Sequence, residues 1–392
     1  MKKENSDKIR VLRILNRFNV GGPVWNVALL TKHLPDEYET KLIGGKATPN
    51  EADALYILSE LDINASVIPS LSREVSFSND FKAFFALRKI MKEFKPHLVH
   101  THASKAGFLG RLAAFTTGVP TVVHTYHGHV FEGYFGPVKE KIIRQLERLL
   151  ARKSTAIVAI SQAQKKAITE KFNICRAEKT YVIPLGFDLE RFYPSEAKRN
   201  QARIAYNLNE DILAVGIVGR LTAVKNHDLF LKAAAILTSN STINYQFFVV
   251  GDGETRLELQ QLCAEYGISS RVSFTSWIQS MEAFYPAMDI VCLTSLNEGT
   301  PVSLIEAQAS GIPVISTNVG GVEDTMVSGK TGIILTSFSP EELAEKIESL
   351  AHAPDLRIQM SKNAHTFALE QFSYLALVNN MDALYKKLLK DA

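Results

Sequence analysis

The sequence predicts an α/β protein made of two doubly wound, Rossmann-like domains in series. Three observations predict it. The chain has 392 residues, more than one hydrophobic core usually supports. Short β-branched and apolar runs alternate with helical patterns from end to end, as in βαβ units. Near the middle, a proline- and glycine-bearing stretch and a polar run interrupt that alternation.

In the first half the strand candidates are Val11–Leu15, Lys41–Gly44, Ser66–Ile68, Leu98–Thr101, Thr121–Thr125, Ile157–Ile160 and Tyr181–Ile183. Helical stretches such as Asp80–Phe94 and Val138–Arg152 lie between them. The second half repeats the plan with Ala214–Val218, Gln246–Val250, Val272–Phe274, Ile290–Leu293, Pro313–Ser316 and Gly332–Leu335. The break runs from Pro184-Leu185-Gly186-Phe187-Asp188 to Pro194, with the polar run Ser195–Arg203 after it. The expected division is a first Rossmann-like domain over 1–190, a linker over 191–208 and a second Rossmann-like domain over 209–371. A final helix over 372–392 is a candidate for closing on the first domain, a docking that pattern alone does not determine. Ligands of open α/β sheets bind at the carboxyl ends of the strands, so the loops there, facing across a cleft, are where chemistry is expected.

Composition narrows the class. Apolar residues make up 46% and charged residues 22%, the mix of a soluble globular protein. No stretch of eighteen uncharged apolar residues is present, so no membrane-spanning helix is expected. Met1–Arg10 is charged and lacks the apolar region and cleavage site of a signal peptide. The cysteines, Cys175, Cys263 and Cys292, are far apart, which argues for a reducing compartment and against a zinc site. The expectation is a cytoplasmic protein. Net charge is +3, yet residues 1–190 hold 28 Lys+Arg against 19 Asp+Glu, while the remainder is net acidic. The basic half suits anionic lipid head groups, a diphosphate-linked acceptor or nucleic acid, unless the imbalance is simply a solvated surface.

After the strand Ala214–Val218 comes Gly219-Arg220-Leu221-Thr222-Ala223-Val224-Lys225-Asn226. Gly219 permits a tight turn, and Arg220 and Lys225 offer a planar fork and a point charge for a diphosphate. Taken alone, two surface cations would be the plainer reading. The stretch Glu298-Gly299-Thr300-Pro301-Val302 through Glu306, just after the strand Ile290–Leu293, changes the balance. Proline followed by an apolar run marks a helix N-terminus, whose free N–H groups and positive dipole end meet an anion. Glu298 precedes that helix and Glu306 lies more than a turn inside it, so the two need not share a face. Either carboxylate could accept hydrogen bonds from vicinal hydroxyls; the bland alternatives are a helix cap for Glu298 and solvation for Glu306.

Gly251-Asp252-Gly253 also follows a strand and opens a helix, but it lacks a third glycine and an acidic residue after the next strand, so a dinucleotide enzyme is rejected. Gly21-Gly22 lies at the first strand-to-helix turn, read equally as a tight turn or a close backbone approach to a ligand. His124, His127 and His129 cluster after another strand, without a carboxylate or cysteine at metal-ligand spacing before Glu132. Lys105 and Arg111 either meet an anionic acceptor or cover a helix face. The helix Val138–Lys153 carries Lys139, Lys141, Arg144, Arg148, Arg152 and Lys153, with Ile142, Ile143, Leu146, Leu149 and Leu150 as its apolar side. It reads first as an ordinary half-buried helix and second as one resting on a membrane surface.

Taken in order, these motifs resemble glycosyltransferase family 4, the retaining transferases of the GT-B fold, over essentially the whole chain. The resemblance rests on Glu298 and Glu306 preceded by the Gly219-Arg220…Lys225 loop. It also takes in Gly21-Gly22, His127-Gly128, the Pro184–Phe192 linker, Gly251-Asp252-Gly253 and Gly320-Gly321. It implies that Glu298 lies by the donor sugar, Glu306 holds the nucleotide ribose, and Arg220 and Lys225 neutralise the leaving diphosphate. Gly299, Thr300, Pro301 and Val302 would offer backbone amides. Gly21 and Gly22 would reach the donor phosphate, Gly251 and Gly253 would lie near the nucleotide, and His127 would stand by the donor sugar. Asp324 stands where the family often has Glu, which leaves that contact open.

The function so implied is transfer of a hexose or N-acetylhexosamine from a nucleoside-diphosphate sugar to a hydroxyl, with anomeric retention and no metal cofactor. UDP is the preferred nucleotide, because Gly-Thr-Pro after the first Glu resembles bacterial UDP-sugar enzymes of surface-polysaccharide assembly. The expected acceptor is a lipid-diphosphate-linked saccharide, with peripheral membrane contact through the basic half and no nucleic-acid partner. A sugar-nucleotide epimerase or hydrolase, a GDP-sugar mannosyltransferase and a non-catalytic binding protein are the alternatives.

Overall fold

Alternate residues of a strand point to opposite faces of its sheet, and two central strands of the first sheet show both faces covered. Val11 and Leu98 enter one core with Leu377, Met381 and Leu384, while Leu12 and Val99 enter another with Leu87, Met91 and Leu109. The computed structural model describes residues 8–19, 22–47, 53–71, 76–128 and 136–390. The chain divides into two units, Met1–Phe187 with Ser373–Ala392, and Asp188–Phe372.

The first unit contains strands β1 (Ile9–Ile14), β2 (Tyr38–Gly44), β3 (Ala65–Val67), β4 (Leu98–His102), β5 (Thr121–Tyr126), β6 (Ala156–Ala159) and β7 (Thr180–Val182). Between them run α1 (Gly22–His33), α2 (Leu55–Glu60), α3 (Phe77–Phe94), α4 (Ser104–Thr117), α5 (Pro137–Lys153) and α6 (Gln162–Lys166). The second unit contains α7 (Glu196–Ala205), β8 (Ile212–Val218), α8 (His227–Asn240), β9 (Asn244–Val250), α9 (Arg256–Glu265), β10 (Val272–Thr275) and α10 (Met281–Phe284). It continues with β11 (Ile290–Leu293), α11 (Val302–Ala309), β12 (Val314–Thr317), β13 (Gly332–Leu335), α12 (Pro340–Ala351) and α13 (Pro354–Phe372). The last helix, α14 (Tyr374–Lys390), belongs to the first unit.

Both sheets are parallel, in the orders β3-β2-β1-β4-β5-β6-β7 and β10-β9-β8-β11-β12-β13. The order reverses between β1 and β4 in one and between β8 and β11 in the other. Loops leaving the carboxyl ends of such neighbours diverge and open a crevice, the usual ligand position of doubly wound sheets. The GT-B reading thus meets two Rossmann-like units, as expected.

Helix α14 is fixed on the first unit by apolar and polar contacts together. Tyr385, fully buried, places its hydroxyl 2.6 Å from His100 Nδ1 and accepts a hydrogen bond from buried Arg13 at 3.3 Å. Tyr38 donates to Asp382 at 2.8 Å. The helical stretch expected from Phe372 is broken at Ser373, which pairs with Phe187 in a parallel bridge.

Two expectations change. Residues 191–208, read as a linker, contain α7, whose Arg199 and Arg203 bind Asp289 at 2.6 and 3.3 Å within the second unit. Ser195 starts that helix by accepting from the Lys198 N–H. Helix α5 is half-buried as expected, but its expected apolar side is split: Val138, Ile142, Leu146 and Leu149 are exposed, while Glu147, Leu150 and Ala151 face the interior and Ile143 packs against the core. Its buried side is set by an ion pair rather than by its longest apolar row.

Candidate functional site

The site of the second unit is built from four loops at the carboxyl ends of β8, β9, β11 and β12. Thr294, just past β11, donates from its hydroxyl to the carbonyls of Lys225 and Asn226 at 3.1 and 2.9 Å. The Leu296 N–H donates to Val224 O at 2.8 Å. These bonds stitch the β11 loop to the β8 loop at the point where the strand order reverses. Asn226 turns the chain with a left-handed φ of 50° and α8 begins at His227.

The stitching brings together two residues the sequence placed in separate motifs. The Lys225 ammonium donates to Glu298 Oε1 at 2.5 Å, and the Ser295 hydroxyl donates to the same oxygen at 2.6 Å. Both side chains are largely sheltered from solvent. Glu298 therefore is not a helix cap. Helix α11 begins at Val302 with Pro301 in the cap position, one residue earlier than a first-turn proline, and no side chain caps it. Its first N–H groups remain available to an anion, and the positive dipole end lies with them. Gly299 and Thr300 form the bend that leads into it.

Backbone packs directly on backbone here. Gly320 has φ of 54°, and a β-carbon on it would stand 1.8 Å from the Glu298 carbonyl oxygen. Gly251 has φ of 132°, and a β-carbon there would stand 2.1 Å from Gly219 O. Only glycine meets both demands, of conformation and of space. Gly253 lies in the same contact, with the Leu221 N–H donating to Asp252 O at 3.0 Å. Arg220 is exposed and only loosely paired, 3.8 Å from Glu254. That pair contributes little stability, so the guanidinium is available to a ligand.

Glu306 has different surroundings. On α11, its Oε2 accepts from the Tyr285 hydroxyl at 3.3 Å, and that hydroxyl also donates to Ser303 O at 3.1 Å. Burial raises the Glu306 carboxyl to about 7, opposed in part by Arg191 and the Tyr285 hydrogen bond. A merely solvated Glu306 does not fit this. The two carboxylates serve separate partners, one a cation and one a phenol.

In the first unit, Gly21 lies outside the described residues. Gly22 opens α1, and a β-carbon on it would meet no protein atom within 4 Å. His127 follows β5, with Nε2 2.9 Å from Nδ1 of buried His102. Burial lowers His127 to about 4, so the ring is neutral. His102, which no sequence motif marks, stacks on His127 and lies against His100 with ring centroids 4.1 Å apart and planes tilted by 35°. Lys105 does not stand free, since its ammonium is 2.5 Å from Asp80 Oδ1. Arg111 is a correction: it is 0% exposed and binds Glu147 Oε2 at 2.7 Å and Gly107 O at 2.8 Å. Tyr126 donates to the same Glu147 oxygen at 2.6 Å. A cation so enclosed is a structural tie between α4 and α5, not an acceptor contact. Among the described residues, no three His, Cys, Asp or Glu side chains gather as a metal site.

Comparison with known proteins agrees with this arrangement. The family described as Glycosyltransferase Family 4 matches residues 20–191, and the family described as Glycosyl transferases group 1 matches residues 198–367. An Escherichia coli protein, UDP-Gal:alpha-D-GlcNAc-diphosphoundecaprenol alpha-1,3-galactosyltransferase, is 31% identical over 327 residues, 82% of this chain and 84% of that one. The capsular polysaccharide biosynthesis glycosyltransferase CapM of Staphylococcus aureus is 28% identical over 335 residues, 84% of this chain and 86% of its own. A glycosyltransferase from Rickettsia africae superposes with a TM-score of 0.82 at 19% identity, covering 98% of this chain and 100% of the other. HepE of Anabaena, solved in complex with UDP, superposes with a TM-score of 0.80 at 21% identity, covering 96% and 100%.

Two parallel Rossmann-like units of this topology make the GT-B fold, and the family matches and relatives make the chain a glycosyltransferase. The chain belongs to glycosyltransferase family 4.

Proposed function

We propose that this glycosyltransferase moves a hexose or N-acetylhexosamine from a UDP-sugar to a hydroxyl of a lipid-diphosphate-linked saccharide, with retention at the anomeric carbon. The observation that carries the reading is the junction of Lys225, Glu298 and the uncapped start of α11. Support for UDP comes from HepE, solved with that nucleotide, and support for the acceptor from the name of the Escherichia coli relative. The product would enter surface-polysaccharide assembly, on the cytoplasmic face of a membrane that the protein touches peripherally. No helix among the described residues is long and apolar enough to cross a membrane.

In this reading the backbone N–H groups of Gly299, Thr300 and Val302, at the start of α11, and the cations Arg220 and Lys225 meet the diphosphate. They stabilise the negative charge that develops as the bond to the sugar breaks. Glu298, held by Lys225 and Ser295, accepts hydrogen bonds from sugar hydroxyls. Glu306 accepts from the ribose hydroxyls, with Gly251 and Gly253 at the nucleotide. His127, a neutral ring, takes the role the family resemblance implies for it, a hydrogen bond to the sugar. The acceptor hydroxyl attacks from the face the diphosphate leaves, and its proton passes to the departing diphosphate oxygen. These fixed cations take the part of a metal ion, and no metal is required.

The test pairs UDP-hexoses and UDP-N-acetylhexosamines with a polyprenyl-diphosphate-linked saccharide. The expected outcome is UDP release with sugar transferred to the organic-soluble acceptor, α-linked from an α-configured donor, and undiminished by EDTA. Release of free sugar alone, or an inverted product, would overturn the reading.

A further inference from the structure

Two helices of the first unit expose apolar rows that nothing among the described residues covers. On α3, Phe77, Phe81 and Phe85 recur every fourth residue and so share one face. Phe77 is 94% exposed and Phe81 61%. The Phe81 and Phe85 rings lie 4.6 Å apart, and the Arg88 guanidinium stands 5.8 Å from the Phe85 ring. On α5, Val138, Ile142, Leu146 and Leu149 form a second row, with Val138 at 72% and Leu149 at 58%. Both helices flank α4 on the same side of the sheet. Leu87 of α3 and Leu109 of α4 share a core, and the buried Arg111–Glu147 pair ties α4 to α5. The two rows therefore belong to one surface. Exposed rows of this length mark an interaction surface rather than ordinary scatter.

The charges around them say which kind. Lys139, Lys141, Arg152 and Lys153 on α5 are exposed, as are Lys82, Lys89 and Lys92 on α3. The carboxylates on these helices are mostly engaged: Asp80 with Lys105, Glu147 with Arg111, and Glu93 3.9 Å from Lys89. At the carboxyl end of α5, a cavity of about 680 Å³ is lined by Arg148, Arg152, Arg176 and Lys179, with Glu170 as its carboxylate. Apolar rows edged by lysine and arginine, beside a basic recess of head-group size, complement a phosphate-bearing, apolar-cored surface.

We infer that the α3–α5 face is the surface by which this protein docks on an anionic lipid bilayer. The inference deepens the proposed lipid-linked acceptor and rests on that reading for its purpose. Phe77, Phe81 and Phe85 and the α5 row enter the head-group boundary, while the lysines and arginines meet lipid phosphates.

The test is co-sedimentation of the full chain with phosphatidylcholine vesicles and with vesicles containing phosphatidylglycerol. Binding is expected to the anionic vesicles only, and to weaken as salt rises. Ile142→Glu with Leu149→Glu, and separately Phe77→Ser with Phe81→Ser, should each lower partitioning about tenfold or more. Lys139→Ala with Lys141→Ala should lower it about tenfold, with no apolar side chain touched. Because all these positions are exposed, the variants should melt within a few degrees of the parent. Should any fail to fold, a Phe81→Trp variant reports the same contact by a blue shift on adding anionic vesicles. No binding to anionic vesicles, equal binding to neutral ones, or variants that bind unchanged would overturn the inference. So would a concentration-dependent dimer that the same substitutions dissolve, since a second copy would then cover the face. Stabilisation by UDP is measured alongside; its loss with vesicle binding intact would count against the donor reading alone.

Discussion

Lys225 and Glu298 are 73 positions apart in sequence, and their ammonium and carboxylate meet at 2.5 Å. The contact exists because Thr294 and Leu296 bind the loop that carries Lys225 to the loop that carries Glu298. A cation already aligned by a carboxylate costs little further ordering when a diphosphate arrives. Its charge is in place before charge develops on the leaving group.

Replacing Lys225 with alanine should therefore act on the chemical step. Turnover at saturating donor is expected to fall about 10²-fold or more, the scale of losing one electrostatic stabiliser. Arg220→Ala should act in the same direction, with melting temperature unmoved because its pair with Glu254 is exposed. Near-normal UDP release by both variants would remove the assigned role.

Glu306 should impose a pH dependence. Its carboxyl is raised to about 7 from an ordinary value of 4.5, so the free enzyme holds a proton there that the unfolded chain has lost. With the folded state binding the extra proton, unfolding free energy falls as pH rises from about 4.5 to 7, and Glu306→Gln should flatten that slope. Nucleotide affinity should move the opposite way, weakening as pH falls below about 7, because ribose hydroxyls donate to the ionised carboxylate. Calorimetric titration of UDP across this range distinguishes the two effects. An unchanged profile in the glutamine variant would count against the ribose contact.

Gly320→Ala should injure both fold and site. The new β-carbon would press on the Glu298 carbonyl, and alanine resists the left-handed backbone. A loss of about 1–3 kcal/mol in urea unfolding is expected, with UDP stabilisation reduced. The same change at Gly22 finds open space and should leave stability within about 0.5 kcal/mol.

Arg111→Ala separates a structural cation from a binding one. It would strand Glu147 in the interior beside Tyr126, at a cost of about 3–5 kcal/mol by denaturant unfolding. Kinetics with acceptor should then change only as far as folded enzyme is lost.

Much of this was readable beforehand, for a physical reason. Parallel strands covered on both faces are rich in apolar and β-branched residues, so each strand among the described residues left a recognisable run. Glu298 and Lys225 stood out because they sit in loops just past such runs. Arg111 stood out for the wrong role, because a long cation reads alike on a surface or inside, and Glu147, 36 residues away, is visible only in the fold. Periodicity could not orient α5, whose apolar residues occupy two sides: Ile142, Leu146 and Leu149 outward, Leu150 inward with Ala151. Thr294 and His102 left no signal, since a lone threonine or histidine after a strand is commonplace.

The C-terminal helix carries a consequence for the order of synthesis. A ribosome emits residues 188–372, the whole second unit, before it emits α14. The first unit, begun before the second, is completed after it, when Tyr385 reaches Arg13 and His100. Until then the nascent first unit holds a buried guanidinium and an imidazole without their phenol partner, and an apolar sheet face open to water. Whatever shelters that face during translation must release it to this seventeen-residue helix, whose arrival closes the first core.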